Sequence, residues 1–286
     1  MKVVLFCGGL GMRLREYSQS IPKPMVNVGN RPILWHVMKY YAHHGYKDFV
    51  LCLGWQSIVI KEFFLNYNEC VSNDFVVRDG GRSIQLLNSD IEDWNITFVD
   101  TGVSSNIGQR LKAVEPHLEG ETEFFANYTD GLTDFHLPNL VDLHRKEDAI
   151  ASFISVRPTQ SFHRVFFEGS GRVESIQPIV DSNVYMNGGY FMFNQSIFDY
   201  LRDGEELVDE PFQRLIDEGR LSTLKHNKFW CCLDTFKEKQ NLDEMYLRGD
   251  TPWQLWKTPR NAAGSALDLG IAQDSQISLD PSLSSL

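Results

Sequence analysis

The feature that most constrains the fold is a short apolar run that ends directly in glycines. Residues Lys2 to Cys7 read Lys-Val-Val-Leu-Phe-Cys, and Gly8 and Gly9 follow at once. An apolar run of this length, without alternation, is typical of a strand buried on both faces of a parallel sheet. Glycines after such a strand let backbone N–H groups approach an anion closely. The sequence therefore predicts a buried strand followed by a ligand-binding loop.

Strand and helix patterns alternate after this loop. Asn30-Arg31-Pro32 reads as an N-cap followed by a first-turn proline, and Gly45 is expected to end the helix. Asp48–Leu53 reads as a second buried strand and Ser57–Asn66 as a second helix. Further strands are expected at Ile96–Val99, Glu123–Asn127, Ile150–Val156 and Tyr185–Phe193. This alternation predicts an α/β fold, with a Rossmann-like mixed, mostly parallel sheet and helices on both faces.

Two stretches interrupt the alternation and predict small antiparallel elements. Residues 74–93 are polar and contain a Gly-Gly pair, and Val165–Ile176 contains a Glu168-Gly-Ser-Gly turn signal. From about Lys257 onward the sequence is rich in Ala, Gly, Ser and Asp without clear periodicity. We therefore expect one domain over residues 1–257 and a flexible tail over 258–286.

Composition excludes several classes of partner. The net charge of −11 disfavours nucleic acid, which requires a strongly basic surface. Nowhere do 18 apolar residues run together, so no membrane span is expected. The five cysteines are odd in number and form no Cys-x-x-Cys pair, which favours a reducing compartment. These features predict a cytoplasmic protein.

The glycine loop carries the first chemical signal. Gly8-Gly-Leu-Gly-Met-Arg lacks the Gly-Lys-Ser/Thr of a Walker A loop, and Leu14 stands where a dinucleotide fingerprint has its third glycine. Arg13 follows the glycines, and Lys23 lies between two prolines that restrict its backbone. The array predicts a phosphate-binding site. The alternative is an ordinary strand turn with solvated basic residues.

Two aspartates form the second signal. Asp130 follows the apolar run Phe124–Ala126, and Asp234 follows Trp230-Cys-Cys-Leu. Either residue alone would more often be a helix cap or a turn former. Because both occur in matching contexts after apolar runs, we expect a functional pair instead.

These segments together resemble the sugar-1-phosphate nucleotidylyltransferases, and most closely the glucose-1-phosphate cytidylyltransferases. The likeness lies in Gly8-Gly-Leu-Gly-Met-Arg-Leu, Lys23-Pro-Met-Val, Pro32-Ile-Leu-Trp-His, Asn95-Ile-Thr-Phe-Val-Asp-Thr-Gly, Gly108-Gln-Arg-Leu-Lys and Trp253-Gln-Leu-Trp, and covers roughly residues 1–257. The resemblance implies a Mg²⁺-dependent enzyme that transfers CMP from CTP to a sugar 1-phosphate and releases pyrophosphate. It is expected to act as a homo-oligomer.

The resemblance also implies roles for individual residues. Arg13 and Lys23 would be catalytic, and Asp130 and Asp234 would hold the metal. Nucleotide-binding residues would be Gly8, Gly9, Gly11, Met12, Arg13, Lys23, Arg110 and Asp130. Acceptor-binding residues would be Tyr128, Asn187, Gly188 and Glu210.

Three positions depart from the family pattern. Met12 replaces a threonine in the glycine loop, and Thr129 replaces a glycine before the metal aspartate. The family's Glu-Lys-Pro, whose lysine meets the acceptor phosphate, is here Ile176-Gln-Pro. Candidates to replace that lysine are His163, Arg164 and Arg172. Two alternatives therefore stay open, namely a cytidylyltransferase for another phosphorylated acceptor and a nucleotide-binding protein without catalytic activity.

Overall fold

A central mixed sheet organises the chain, and the computed structural model describes residues 1–9, 21–159 and 162–257. The strands are β1 (Val3–Phe6), β2 (Asn27–Val28), β3 (Arg31–Pro32), β4 (Asp48–Leu53), β5 (Phe75–Arg78), β6 (Ser83–Leu86), β7 (Asn95–Asp100), β8 (Glu123–Asn127), β9 (Gly131–Thr133), β10 (Ala151–Val156), β11 (His163–Phe167), β12 (Val173–Pro178), β13 (Met186–Asn194), β14 (Leu221–His226) and β15 (Trp230–Cys232). The helices are α1 (Ile33–His43), α2 (Ser57–Leu65), α3 (Ile107–Ala113), α4 (Pro138–Lys146), α5 (Glu210–Asp217) and α6 (Phe236–Leu247).

The central sheet has seven strands in the order β14, β10, β13, β8, β1, β4, β7. Strand β1 pairs in parallel with β4 and β8, and β4 pairs in parallel with β7. Strand β13 is antiparallel to both of its neighbours, β8 and β10. The predicted mixed, mostly parallel sheet is therefore confirmed.

Helices cover both faces of this sheet, as predicted. Val3 and Leu5 of β1 point into one hydrophobic core, to which α1, α2, α4 and α6 contribute. Val4 and Phe6 point into a second core on the opposite face, which includes residues of α3 and α5. Because successive side chains of a strand alternate between faces, burial of all four residues requires a cover on each side.

The start of α1 differs from the prediction. Asn30 is not its N-cap, because Asn30 and Arg31 belong to a short hairpin in which β2 pairs with β3. The residue that precedes the helix is Pro32, which has extended backbone angles and provides no side-chain cap. Gly29 adopts φ +64 in the hairpin turn, a conformation that glycine accepts without strain. The predicted helix end is correct, since Gly45 follows with φ +89.

The predicted antiparallel elements are two hairpins outside the central sheet. Strand β5 pairs with β6, and β11 pairs with β12 through a turn in which Gly171 N–H donates to the Glu168 carbonyl at 2.8 Å. Within the described residues, no helix is long and apolar enough to cross a membrane. Residues Met1–Trp256 form one compact unit. The predicted tail, 258–286, lies outside the described residues.

Candidate active site at the carboxyl ends of the strands

The topology brings three distant segments to one edge of the sheet. Strands β1 and β8 are parallel neighbours, so Gly8 and Asp130, which follow them, emerge at the same edge. Strand β15 pairs with β9, the short strand directly after Asp130. The Leu233 N–H then donates to the Asp130 carbonyl at 2.7 Å. Asp234, the next residue, is thereby placed beside Asp130.

Lys23 joins the two carboxylates. Its Nζ lies 2.6 Å from Asp130 Oδ2 and 2.5 Å from Asp234 Oδ1. The lysine opens a 3₁₀ turn, Lys23–Met25, that follows Pro22 and contains Pro24. Since proline fixes φ, this backbone needs little further ordering to present the ammonium. Residues that are 107 and 211 positions apart from Lys23 thus meet at one point.

The surroundings of this cluster favour its charged state. The Lys23 side chain is 16% exposed, and those of Asp130 and Asp234 are 30% and 25% exposed. Burial alone would lower the pKa of Lys23, but the charges of Asp130 and Asp234 outweigh burial, so that the pKa is raised. The ammonium is therefore protonated at neutral pH.

The two carboxylates suit a divalent cation. Oxygens of Asp130 and Asp234 that approach one nitrogen atom within 2.6 Å can also approach one metal ion. Magnesium is commonly held by one or two carboxylates, with water and substrate phosphates in its remaining positions. Within the described ranges, no group of three or more His, Cys, Asp and Glu side chains is placed to hold a metal. The pair matches the one or two carboxylates by which proteins commonly hold magnesium.

The turn that carries Asp130 is strained and braced. Thr129 adopts φ +66, which is uncommon for a residue with a branched Cβ. Its hydroxyl donates to the Phe6 carbonyl at 2.9 Å, and its N–H donates to Asn127 Oδ1 at 2.7 Å. The conformation explains why a glycine suits this position in the resembling family. In this chain, hydrogen bonds to β1 and β8 hold the same geometry.

Asp234 is held by the first turn of α6. Thr235 and Glu238 form a capping box, in which each side chain bonds to the other's backbone N–H. Glu238 Oε2 also accepts from the Asp234 N–H at 2.9 Å, and the Glu238 side chain is buried. The pattern Thr-x-x-Glu at residues 235–238 is a sequence signal that could have identified this support.

The start of the glycine loop rests on Arg110. The guanidinium is buried and donates to the Gly8 carbonyl at 2.9 Å, to Thr101 Oγ1 at 2.8 Å and to the Leu53 carbonyl at 3.2 Å. A Cβ added to Gly8 would lie 1.9 Å from Arg110 Nη1, so a larger residue would displace the guanidinium from its hydrogen bonds. Burial lowers the pKa of Arg110. The structure thus gives Arg110 a supporting role beneath the loop, while its predicted contact with a nucleotide stays a prediction.

Part of the predicted loop precedes and part follows the limit of the described residues at Gly9. Gly11, Met12 and Arg13 lie outside the described residues. Gly9 is described and exposed, and none of the described residues lies within 4 Å of a Cβ added to it.

The predicted acceptor residues form a group beside Asp130. Asn187 Nδ2 donates to the Tyr128 hydroxyl at 3.4 Å, and Trp230 Nε1 donates to the Gly188 carbonyl at 2.9 Å. A Cβ on Gly188 would lie 2.7 Å from Ile154 Cγ1, so the backbone must pass close to β10. Tyr128, Asn187 and Gly188 are therefore brought together, with Trp230 as a member that the sequence reasoning missed.

Glu210, the fourth predicted acceptor residue, is exposed in the first turn of α5, and its role stays a prediction.

Two further acids lie near Tyr128. Burial, followed by the charges of Glu206, Asp130 and Asp209, raises the pKa of the Tyr128 hydroxyl. Glu206 and Asp209 are thus additional acids near Tyr128. They follow no recognisable motif, which is why the sequence did not reveal them.

Comparisons with known proteins show the family of the chain. The chain matches the Nucleotidyl transferase family over residues 2–238. It is 36% identical over 259 residues to the glucose-1-phosphate cytidylyltransferase of Salmonella typhi. It is 34% identical over 258 residues to the probable glucose-1-phosphate cytidylyltransferase of Bacillus subtilis (strain 168). Each alignment covers 90% of this chain and 100% of the relative. The fold is similar to that of a UDP-glucose pyrophosphorylase complexed with UDP-glucose, with a TM-score of 0.62, 13% identity and coverage of 87% of this chain and 98% of that one. The chain therefore belongs to the nucleotidyl transferase family.

Proposed function

We propose that this nucleotidyltransferase transfers CMP from CTP to a sugar 1-phosphate of the glucose 1-phosphate type, and that Asp130 and Asp234 hold the Mg²⁺ that the reaction requires. The observation that carries the proposal is the meeting of Lys23, Asp130 and Asp234 within 2.6 Å at the edge of the sheet where the glycine loop begins. The similarity to glucose-1-phosphate cytidylyltransferases supports CTP as the donor.

The arrangement suits an in-line displacement at phosphorus. A phosphate oxygen of the acceptor forms a bond to the α-phosphorus of CTP, and the bond from that phosphorus to the β-phosphate oxygen breaks, so that pyrophosphate leaves. The attacking phosphate is already anionic at neutral pH, and the chain needs no general base. A bound Mg²⁺ would neutralise charge on the triphosphate.

The protein's own contribution is position and charge. Asp130 and Asp234 fix the place of the metal, and the Lys23 ammonium supplies a positive charge for phosphate oxygens. Arg13, predicted to lie beside the triphosphate, would supply a second positive charge. The Arg110 guanidinium holds the Gly8 carbonyl, so the start of the loop is fixed at Gly8 before the nucleotide arrives.

The acceptor side is where this chain differs from its relatives. Gln177 stands where the resembling family has its acceptor lysine, and the hairpin register pairs Gln177 with Arg164. Directly opposed residues in a hairpin lie on the same face, about 5 Å apart at Cβ. We propose that Arg164 supplies the cation for the acceptor phosphate. His163 pairs with Pro178 instead, and Arg172 precedes β12, so neither lies opposite Gln177.

We also propose a cytoplasmic homo-oligomer. All five cysteines are free thiols in the structure, which suits a reducing compartment. The hairpin of β5 and β6 exposes an apolar face, since Val77 and Ile84 are opposed in register and are 53% and 57% exposed. Contiguous exposed apolar side chains mark contact sites with other chains in many soluble proteins.

A pyrophosphate-release assay tests the proposed reaction. The assay pairs each common nucleoside triphosphate with several phosphorylated acceptors in the presence of Mg²⁺. We expect the fastest turnover with CTP and glucose 1-phosphate, and a loss on the order of 10²–10³ for Asp130→Asn. Turnover with CTP and only a different acceptor would favour a cytidylyltransferase for another phosphorylated acceptor, the alternative that Gln177 motivates. CTP binding by calorimetry without turnover in any pairing would contradict the proposal.

A further inference from the structure

The position of the Lys23 ammonium has a consequence for metal binding. Its Nζ approaches both carboxylates, at 2.6 Å and 2.5 Å, through charge-assisted hydrogen bonds. The three side chains are largely buried, so water screens these charges less than it would at the surface. One cation of the protein is therefore bound where a metal ion would bind.

A lysine and a divalent ion compete for these oxygens. Magnesium approaches its oxygen ligands to about 2.1 Å, so a metal ion on the same two oxygens would lie within roughly 5 Å of the ammonium nitrogen. The ammonium and the metal ion would share the same two carboxylate oxygens, so each would weaken the other's contact with them. The two cations would also repel each other at this distance. Both effects favour departure of the ammonium when the metal enters.

We propose that Lys23 holds the place of the metal before the nucleotide arrives and moves to the phosphates when the metal enters. The inference rests on the proposed function, because it takes Asp130 and Asp234 as metal ligands. In the absence of nucleotide, the ammonium lowers the affinity of the carboxylates for a divalent ion. The triphosphate brings the metal and at the same time offers Lys23 new acceptors. Metal and nucleotide therefore bind cooperatively.

The backbone around Lys23 permits such a move while limiting its extent. The main chain is fixed by Pro22, Pro24 and the 3₁₀ turn, whose capping N–H of Val26 bonds to the Lys23 carbonyl. The lysine side chain, by contrast, has four rotatable bonds and three donors. A change of its rotamers can redirect the ammonium without moving the sheet edge.

Mn²⁺ binding without nucleotide tests the inference. Free Mn²⁺ is measured by electron paramagnetic resonance during a titration of the wild type, Lys23→Met and Lys47→Met. Lys47 serves as the control because it lies just before β4 and pairs with Asp93, away from Asp130 and Asp234. If the carboxylates are bound to Lys23 nine-tenths of the time, Lys23→Met binds Mn²⁺ about tenfold more tightly than the wild type. Lys47→Met is expected to match the wild type.

The same titration separates this inference from the proposed function. If Asp130→Asn abolishes Mn²⁺ binding but Lys23→Met binds no more tightly than the wild type, the inference is overturned and the metal assignment stands. If Mn²⁺ binding survives in Asp130→Asn, both are overturned.

A measurement on the wild type needs no substitution. Reductive methylation of lysines, followed by mass spectrometry of the peptide that contains Lys23, reports how accessible its ammonium is. We expect Mg²⁺ alone to increase the rate of methylation at Lys23 and to leave the rate at Lys47 unchanged. A rate at Lys23 that stays constant or falls with Mg²⁺ would overturn the inference.

Discussion

Thr129 shows at the scale of one residue how a strained backbone can be kept in place. The left-handed conformation of a non-glycine residue costs on the order of 1–3 kcal/mol. The hydrogen bonds from its buried hydroxyl to the Phe6 carbonyl and from its N–H to Asn127 Oδ1 each return about 1 kcal/mol. Together they are comparable to the strain, so local hydrogen bonds to β1 and β8 hold the turn.

Two substitutions separate strain from hydrogen bonding at this position. Thr129→Val keeps the branched Cβ but removes the hydroxyl, and we expect the free energy of unfolding to fall by about 1–3 kcal/mol, since the Phe6 carbonyl loses a buried donor. Thr129→Gly removes the same hydroxyl but also the strain, and we expect a smaller loss. Urea denaturation of both variants measures the difference. A glycine variant that is less stable than the valine variant would contradict the strain argument.

Arg164 carries the second prediction at residue scale. A hydrogen bond from a charged donor contributes about 1.5 kcal/mol or more, which corresponds to roughly tenfold in affinity. We therefore expect Arg164→Ala to raise the KM for glucose 1-phosphate about tenfold and to leave the KM for CTP unchanged. Steady-state kinetics with each substrate varied in turn measure both constants. Arg172→Ala is the matched control, and an equal effect of both variants would refute the assignment of Arg164.

At the scale of elements, α6 links Asp234 to the segment after Lys23. Its first turn holds Asp234 through Glu238. Near its other end, Tyr246 donates to Asn30 Oδ1 at 2.8 Å, and its ring packs where a Cβ on Gly29 would lie. One helix therefore contacts both the backbone of Asp234 and the hairpin that follows the lysine.

Glu238 provides the test of this link. Glu238→Ala removes the acceptor for the Asp234 and Thr235 N–H groups, and we expect a stability loss of about 1 kcal/mol. The Mg²⁺ concentration for half-maximal activity should also rise, because Asp234 becomes less well positioned. Glu238→Gln keeps one oxygen and should restore much of the metal dependence. The control is Glu244→Ala, an exposed position on the same helix; if it shifts the metal dependence equally, Glu238 has no special role.

The limits of sequence reading are also clearest at the scale of elements. Strands such as β1, β4 and β8 could be predicted because their apolar runs are continuous and end in turn residues. Lys23, Asp130 and Asp234 could be singled out because each lies in a local pattern. The start of α1 could not be predicted, since the pairing of β2 with β3 overrides the cap signal at Asn30. The position of Glu206 could not be predicted either, because only the fold brings it near Tyr128.

At the scale of the whole molecule, stability should depend on pH through His44. Burial, together with the charges of His43 and His136, lowers its pKa from 6.5 to about 4. The unfolded chain therefore takes up a proton at this residue before the folded protein does as the pH falls. Stability is expected to decrease between about pH 6.5 and about pH 4 and to lose nothing further through His44 below that range.

Urea denaturation across this range measures the effect. We expect His44→Gln to lose part of the dependence on pH, because glutamine does not titrate. The exposed His117 supplies the control, and His117→Gln should keep the slope of the wild type. An unchanged slope in His44→Gln would show that other groups govern the acid sensitivity.

The proposed oligomer is also tested on the whole molecule. Sedimentation velocity of the wild type should show a species larger than the 32.9 kDa chain. Val77→Glu combined with Ile84→Glu should yield the monomer, since both charges would enter the apolar face of the hairpin. A wild type that sediments as a monomer at micromolar concentration would refute the proposal.

The long sequence separations within the lysine and aspartate cluster affect how the protein is made. Asp234 lies 211 positions after Lys23, and the helix that steadies it is translated later still. The lysine and aspartate cluster can therefore form only after residue 234 has been synthesised. Premature termination ahead of that helix would release a fragment that contains Lys23, Asp130 and Asp234 but lacks Glu238, the acceptor that holds the Asp234 N–H.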